Sequence, residues 1–88
     1  MKMEQHKITW RHVEIEITYT PEKWIVVDHI ELHTKNKAAL PVTDTGYRSH
    51  YVDVGTVAHY GGVVAFVTAW LDHEAERTGW SNEQLSLF

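Results

Sequence analysis

The chain has 88 residues, a formal net charge of −4 with its histidines neutral, and no cysteine. This length suffices for one small domain, and the lack of cysteine excludes disulfide bridges and thiolate metal sites. The basic residues form no stripe and no apolar run is long enough to span a bilayer, so we expect neither direct nucleic-acid binding nor a membrane segment. The N-terminus lacks the apolar core of a secretory signal, and we therefore expect a cytoplasmic protein.

The first half of the chain predicts an antiparallel β-hairpin. Apolar side chains alternate with polar ones through Val13, Ile15 and Ile17, which is the pattern of a half-buried strand. Pro21 favours a tight turn after this strand. Residues 24–34 are rich in β-branched and aromatic side chains and are predicted to form the second strand.

The register of the hairpin follows from this turn. It places Ile17 beside Val26 and Val13 beside Ile30, so that apolar pairs face the core. Trp10 precedes the first strand with the opposite parity, which indicates either a bulge just after it or a tryptophan on the outer face. The outer face is expected to carry histidine–glutamate pairs, namely His12 with Glu31 and Glu14 with His29.

These outer-face residues raise the question of a metal site. Together with His33 they offer imidazole and carboxylate groups, which are ligands that zinc accepts. Cross-strand pairs on a solvated sheet face explain the same residues, and we predict neither a metal ion nor another cofactor. Asp28 falls opposite Ile15 on the apolar face, and nothing in the sequence explains a carboxylate there.

A third strand and a polar segment follow the hairpin. Residues 38–42 are predicted to form an edge strand, because Pro41 excludes a central position in a sheet. Residues 43–53 form either a structured loop or a strand that is entered through a turn at Gly46.

One amphipathic helix is indicated within residues 57–79. Its apolar side chains recur at helical spacing, and Val64, Val67 and Leu71 are expected to be buried. A pair of glycines precedes it, so the main helix begins at the second glycine or at the residue after it. Gly79 has the position of a left-handed residue that ends a helix.

These elements predict an α+β fold, an antiparallel β-hairpin or three-stranded sheet packed against one C-terminal α-helix. Residues 1–79 are predicted to form one small domain, and residues 80–88 a linker and an interaction tail.

A run of polar and aromatic residues in the predicted loop is a candidate ligand-binding or catalytic site. It consists of Tyr47, Arg48, Ser49 and His50. The guanidinium of Arg48 offers a planar fork for a carboxylate or phosphate. A loop that satisfies its own backbone groups explains the same residues, so this site is an alternative and not the main prediction.

A second candidate site is the C-terminal peptide, a name we use for Gln84, Leu85, Ser86, Leu87 and Phe88. Its three large apolar side chains come too late in the chain to add an element to the core, and such anchors on a tethered tail usually bind a partner groove. The peptide resembles the motif by which bacterial proteins dock on the DNA polymerase sliding clamp, and all five positions fit that consensus. The resemblance implies the clamp, the DNA polymerase III beta subunit, as partner. The apolar anchors would then fill its pocket and Gln84 would form hydrogen bonds.

Two structural alternatives for the C-terminal peptide remain open at this point. Ser81 and Gln84 fit a capping box, which favours a short final helix packed on the domain. The peptide can also add an edge strand to the sheet of its own chain.

The body of the chain, especially residues 41–50 and 64–72, resembles small uncharacterised proteins carried by bacterial phages and plasmids. This resemblance implies a setting but no activity. We therefore predict a non-enzymatic interaction protein that docks on the sliding clamp. The alternatives are a small-ligand-binding or catalytic domain that uses residues 47–50, and a structural subunit that associates with its own copies.

Overall fold

The computed structural model describes residues 3–24 and 26–80. It contains four strands, β1 (Glu4–Trp10), β2 (Val13–Trp24), β3 (Val27–Thr34) and β4 (Tyr47–Asp53), a short helix α1 (Thr56–His59) and a long helix α2 (Val63–Thr78). The strands form one antiparallel sheet in the order β1-β2-β3-β4. The predicted α+β fold is confirmed, with four strands instead of the two or three that were expected.

The first strand ends in a tight turn that the sequence did not reveal. Trp10 pairs with Val13, and the two residues between them, Arg11 and His12, both have positive φ (46° and 70°). Such a two-residue connection with two left-handed residues joins antiparallel strands without disturbing their twist. Neither expected arrangement of Trp10 is correct, because this turn places it beside Val13 in the core, where it is 5% exposed.

The predicted register between the second and third strands is wrong. Ile17 pairs with Leu32 instead of Val26, and Ile30 pairs with Tyr19 instead of Val13. β2 continues through Pro21 to Trp24, with a shift of register between Thr20 and Trp24. A proline is tolerated at such a bulge because no ladder hydrogen bond is needed from its nitrogen. The turn therefore lies later in the chain than Pro21, and the predicted histidine–glutamate pairs are absent from the described pairing.

Asp28, which had no place in the predicted register, stabilises this bulge. Its Oδ2 accepts a hydrogen bond from the Tyr19 hydroxyl at 2.9 Å, and its Oδ1 accepts one from the backbone N–H of Glu22 at 2.6 Å. Glu22 has a positive φ of 51°, so its amide points away from the regular ladder. A buried carboxylate with two donors is satisfied, and burial with this hydrogen bond raises the pKa of Tyr19 to about 12.

The segment between β3 and β4 is a loop, and the predicted edge strand at residues 38–42 is wrong. Leu40 and Thr43 exchange backbone hydrogen bonds of 2.8 and 3.1 Å, which closes a tight turn with Pro41 at its second position. Proline is preset for that position of a turn. Residues 47–53 form a strand entered at Gly46, whose φ is 81° and where a side chain would collide with the backbone of Lys37.

The long helix agrees with the sequence in its bounds and differs in one buried residue. It begins at Val63 and is followed by Gly79 with a φ of 69°, both as predicted. Val67 and Leu71 are fully buried, whereas Val64 is 36% exposed. The prediction for Val64 was wrong because the buried stripe is centred between Val63, Val67 and Leu71, which leaves Val64 at its margin.

One face of the sheet, the covered face, packs against α2 and the loop before β4. The core is made by thirteen buried apolar side chains, all within the described residues: Trp10, Val13, Ile15, Ile17, Ile30, Leu32, Leu40, Val57, Val63, Phe66, Val67, Leu71 and Ala75. The opposite face, the open face, has no described helix packed on it. Within residues 3–24 and 26–80 no helix is both long and apolar enough to cross a membrane.

Candidate functional site

The C-terminal peptide lies outside the described residues, but the point from which it leaves the domain is defined. Gly79 turns the chain at the end of α2, and the backbone N–H of Trp80 donates to the carbonyl oxygen of Ala75 at 3.0 Å. The ring of Trp80 then packs against Trp10, with ring centroids 5.0 Å apart. The packed domain therefore extends to Trp80, and the tail starts from a fixed place beside the β1–β2 turn.

A polar contact fixes the tryptophan on which Trp80 rests. The indole Nε1–H of Trp10 donates to Asp72 Oδ1 at 2.9 Å. The guanidinium of Arg11 lies 3.6 Å from the same oxygen and 4.8 Å from the centroid of the Trp10 ring. Asp72 thus ties the middle of α2 to the first hairpin, and we call Trp10, Arg11, Asp72 and Trp80 the exit cluster. The sequence contains these residues but gives no sign that they meet.

Residues 47–50, the alternative candidate site, lie on β4 and point alternately to the two faces of the sheet. Tyr47 and Ser49 are on the open face. The Tyr47 hydroxyl donates to Glu31 Oε2 at 2.8 Å, and this hydrogen bond raises the pKa of Tyr47. Ser49 Oγ is 2.7 Å from Nε2 of His29, whose ring stacks on Tyr51 at 4.6 Å. These are cross-strand contacts between neighbours in a sheet.

Arg48 and His50 lie on the covered face and meet α2. The His50 ring stacks on Trp70 with centroids 4.3 Å apart, and the Arg48 guanidinium is 5.9 Å from the same indole ring. Burial lowers the pKa of His50, and the nearby charge of Arg48 lowers it further. The strand therefore separates the four residues into two pairs and does not bring them to one pocket.

An open depression flanks α2 on the side of β4, and we call it the aromatic groove. It is lined by Tyr60, Phe66, Ala69, Trp70 and His73 and has a volume of about 400 Å³. Tyr60 is 48% exposed and meets Phe66 edge to face at 5.2 Å. The groove combines one exposed aromatic ring with the partly or fully buried rings of Trp70 and Phe66 and a small alanine side chain, which suits an apolar side chain better than a charged ligand.

A second depression, of about 450 Å³, lies over the first three strands. Its lining mixes both signs of charge and includes Lys7, Glu14, Glu16, His33 and Lys35. Lys35 Nζ is 3.3 Å from Glu14 Oε2, so these charges are already compensated within the site. Among the described residues no group of three or more histidines, aspartates or glutamates is placed to hold a metal ion.

Comparison with known proteins gives one match. The sequence model of a family described as the KlcB third domain matches residues 3–80. No curated protein matches the chain, and no solved structure matches it.

Proposed function

The chain belongs to the KlcB third-domain family, and from that premise we propose that it is a non-enzymatic, plasmid-associated protein that docks on the bacterial sliding clamp through its C-terminal peptide. The observation that carries the proposal is the sequence Gln-Leu-Ser-Leu-Phe at residues 84–88, which lies outside the family match to residues 3–80. The proposed setting is the cytoplasm, where the clamp acts.

The described domain supports the proposal because residues 10–75 supply a continuous apolar core of their own. Among residues 3–24 and 26–80, the buried apolar side chains lie between Trp10 and Ala75. Within the described residues every buried side-chain nitrogen and oxygen has a hydrogen-bond partner. The apolar anchors of the peptide are therefore not required to close the fold and are available for a partner.

The exit cluster supports it in a second way. Trp80 is fixed on Trp10, and residues 81–83 provide a spacer that extends to roughly 10 Å. This is long enough to present the peptide clear of the domain surface and short enough to keep the domain beside whatever the peptide binds. The domain would thereby be recruited to the clamp, or would exclude other clamp-binding proteins from it.

The expected affinity follows from the three anchors. Burying Leu85, Leu87 and Phe88 contributes ~1.5–3 kcal/mol each before ordering costs. The loss of rigid-body and chain freedom offsets much of this gain, which leaves a dissociation constant on the order of micromolar. Most of the binding energy should reside in a few of these side chains.

The test is calorimetric titration of the purified full chain into a bacterial sliding clamp. Leu87→Ala or Phe88→Ala should each weaken binding by about tenfold or more, because each removes most of an anchor. Val64→Ala is the matched control, because it truncates an apolar side chain that is exposed on α2. Equal binding by all of these variants, or no binding by the full chain, would contradict the proposal.

The alternative of a ligand-binding or catalytic site at residues 47–50 is less well supported. Its four side chains lie on two faces of the sheet, and each has structural contacts that account for it. Self-association as a structural subunit has no described feature that favours it over docking.

A further inference from the structure

The aromatic groove has a shape and chemistry that match the anchors of the C-terminal peptide. Its lining joins the exposed ring of Tyr60 to the half-buried ring of Trp70, with the small side chain of Ala69 beside them. Exposed aromatic surface of this kind is usually covered by an apolar partner. We infer that the C-terminal peptide of the same chain docks in the aromatic groove. The groove then competes with the sliding clamp for the apolar side chains of the peptide. The inference rests on the proposed function and adds its regulation.

The length of the tail allows this contact. From Trp70 to the end of α2 at Thr78 the helix rises about 12 Å, and its diameter is about 10 Å. The eight residues after Trp80 extend to at most about 27 Å. The exit cluster lies on the β1 side of the helix and the groove on the β4 side, so the tail has to pass around the end of α2, and this path is within its reach.

The charges around the groove favour the same occupant. The guanidinium of Arg48 lies 5.9 Å from the ring of Trp70, which lines the groove. The anionic residue that precedes the peptide is Glu83. Arg77 is paired with Glu74 through contacts of 2.7 to 3.2 Å. Arg48, which donates to the carbonyl oxygen of Val42 at 3.4 Å, is the cation beside Trp70 that can complement Glu83.

Because the peptide is tethered to the domain, a groove with low affinity for it can still be occupied. A short tail holds the peptide at an effective concentration on the order of millimolar. A groove that binds the free peptide with a millimolar dissociation constant is then occupied in about half of the molecules. A clamp that captures only the undocked half would show an apparent affinity about twofold weaker than that of a permanently undocked tail.

The test uses the full chain and a spin label. Because the chain contains no cysteine, Ser86→Cys provides one attachment site for a nitroxide, and its paramagnetic broadening of backbone amide signals reports proximity. The signals of Ala69, Trp70 and His73 should be broadened in the free protein, and the broadening should not change on dilution. Broadening that is confined to β1 or β4 would show strand addition instead and would overturn the inference.

Two helix variants separate the groove from the rest of the surface. Ala69→Glu places a charge in the groove and should remove the broadening. Ala65→Glu makes the same change at an exposed position of α2 that does not line the groove, and should leave the broadening in place. Equal broadening in both variants would contradict the inference.

An unlabelled measurement guards against an effect of the label. The indole N–H signal of Trp70 should shift between the full chain and a Leu87→Ala, Phe88→Ala double variant, and an unchanged signal would overturn the inference.

Calorimetry against the clamp is a separate readout, in which the Ala69→Glu variant should bind up to about twofold more tightly than the Ala65→Glu variant. A chain that shows groove broadening but no clamp binding would refute the proposed function alone, and the reverse would refute the docking alone.

Discussion

The exit cluster gives the sharpest stability prediction, and Asp72 is the residue to change. Its Oδ1 accepts the indole N–H of Trp10 at 2.9 Å and lies 3.6 Å from Arg11. A hydrogen bond to a charged group contributes ~1.5–3 kcal/mol. The Asp72 side chain is 52% exposed, so water can partly replace it, and the lower end of that range applies.

Asp72→Ala should therefore reduce the free energy of unfolding by about 1–2 kcal/mol, since the better helix propensity of alanine offsets roughly 0.5 kcal/mol of the loss. For a domain of this size the midpoint of thermal unfolding should fall by about 4–8 °C for each kcal/mol. Asp72→Asn keeps an acceptor oxygen for the indole N–H and should cost less than Asp72→Ala.

The assay is urea unfolding at neutral pH, arranged as a double-mutant cycle with Trp10→Phe. The single Trp10→Phe variant loses packing against Trp80 as well as the hydrogen bond, and the cycle separates these effects. We expect a coupling energy of about 1 kcal/mol between Trp10 and Asp72. A coupling below about 0.3 kcal/mol would lie within ordinary additivity and would refute a stabilising role for this bond.

Three further predictions concern the core, the first turn and pH. Leu71→Ala should destabilise the domain by about 2–5 kcal/mol in chemical unfolding, because Leu71 is a fully buried residue of α2; an unchanged midpoint would contradict this. Replacing His12 by Gly should raise the unfolding free energy by about 1 kcal/mol, because His12 has a left-handed φ of 70°. The pKa of His50 is lowered in the folded state, so its contribution to stability is complete above the unfolded value of about 6.5 and is lost as pH falls below it. His50→Phe should flatten this part of the stability curve, and an unchanged pH profile would argue against a role for His50.

The features that were predicted from sequence are those that depend on local pattern. The end of α2 at Gly79 and the burial of Val67 and Leu71 follow from spacing along one helix. The faces of Ile17 and Ile30 were assigned correctly, since both are buried, whereas Val26, expected to face the core, precedes β3 and is 68% exposed. Within the paired parts of the strands an error of an even number of positions leaves each side chain on its expected face, so the alternating pattern did not reveal the wrong register.

The features that were missed depend on backbone conformations or distant contacts that no local pattern encodes. Arg11 and His12 adopt left-handed turn positions that glycine and asparagine usually fill. Pro21 lies at a bulge supported by Asp28, a residue that follows it in the next strand. The stacking of His50 on Trp70 joins β4 to α2 and requires the tertiary fold.

The candidate functional features also differ in how far the sequence predicts them. The C-terminal peptide could be proposed as a site from sequence alone, because a linear motif carries its own recognition residues. The aromatic groove and the exit cluster were not found, because the residues of each come from separate parts of the chain. From the sequence, Trp80 was predicted to begin a linker. Its ring contact with Trp10 shows that it packs on the domain.

The most direct test of clamp docking through the C-terminal peptide is a titration of a bacterial sliding clamp with two forms of the protein, the full chain and a chain that ends at Glu83. We expect micromolar binding by the full chain and no detectable binding by the shorter one, with the same circular dichroism spectrum and unfolding midpoint for both. Equal binding by the two forms would place the clamp contact in the folded domain, and an absence of binding by both would contradict the proposed function.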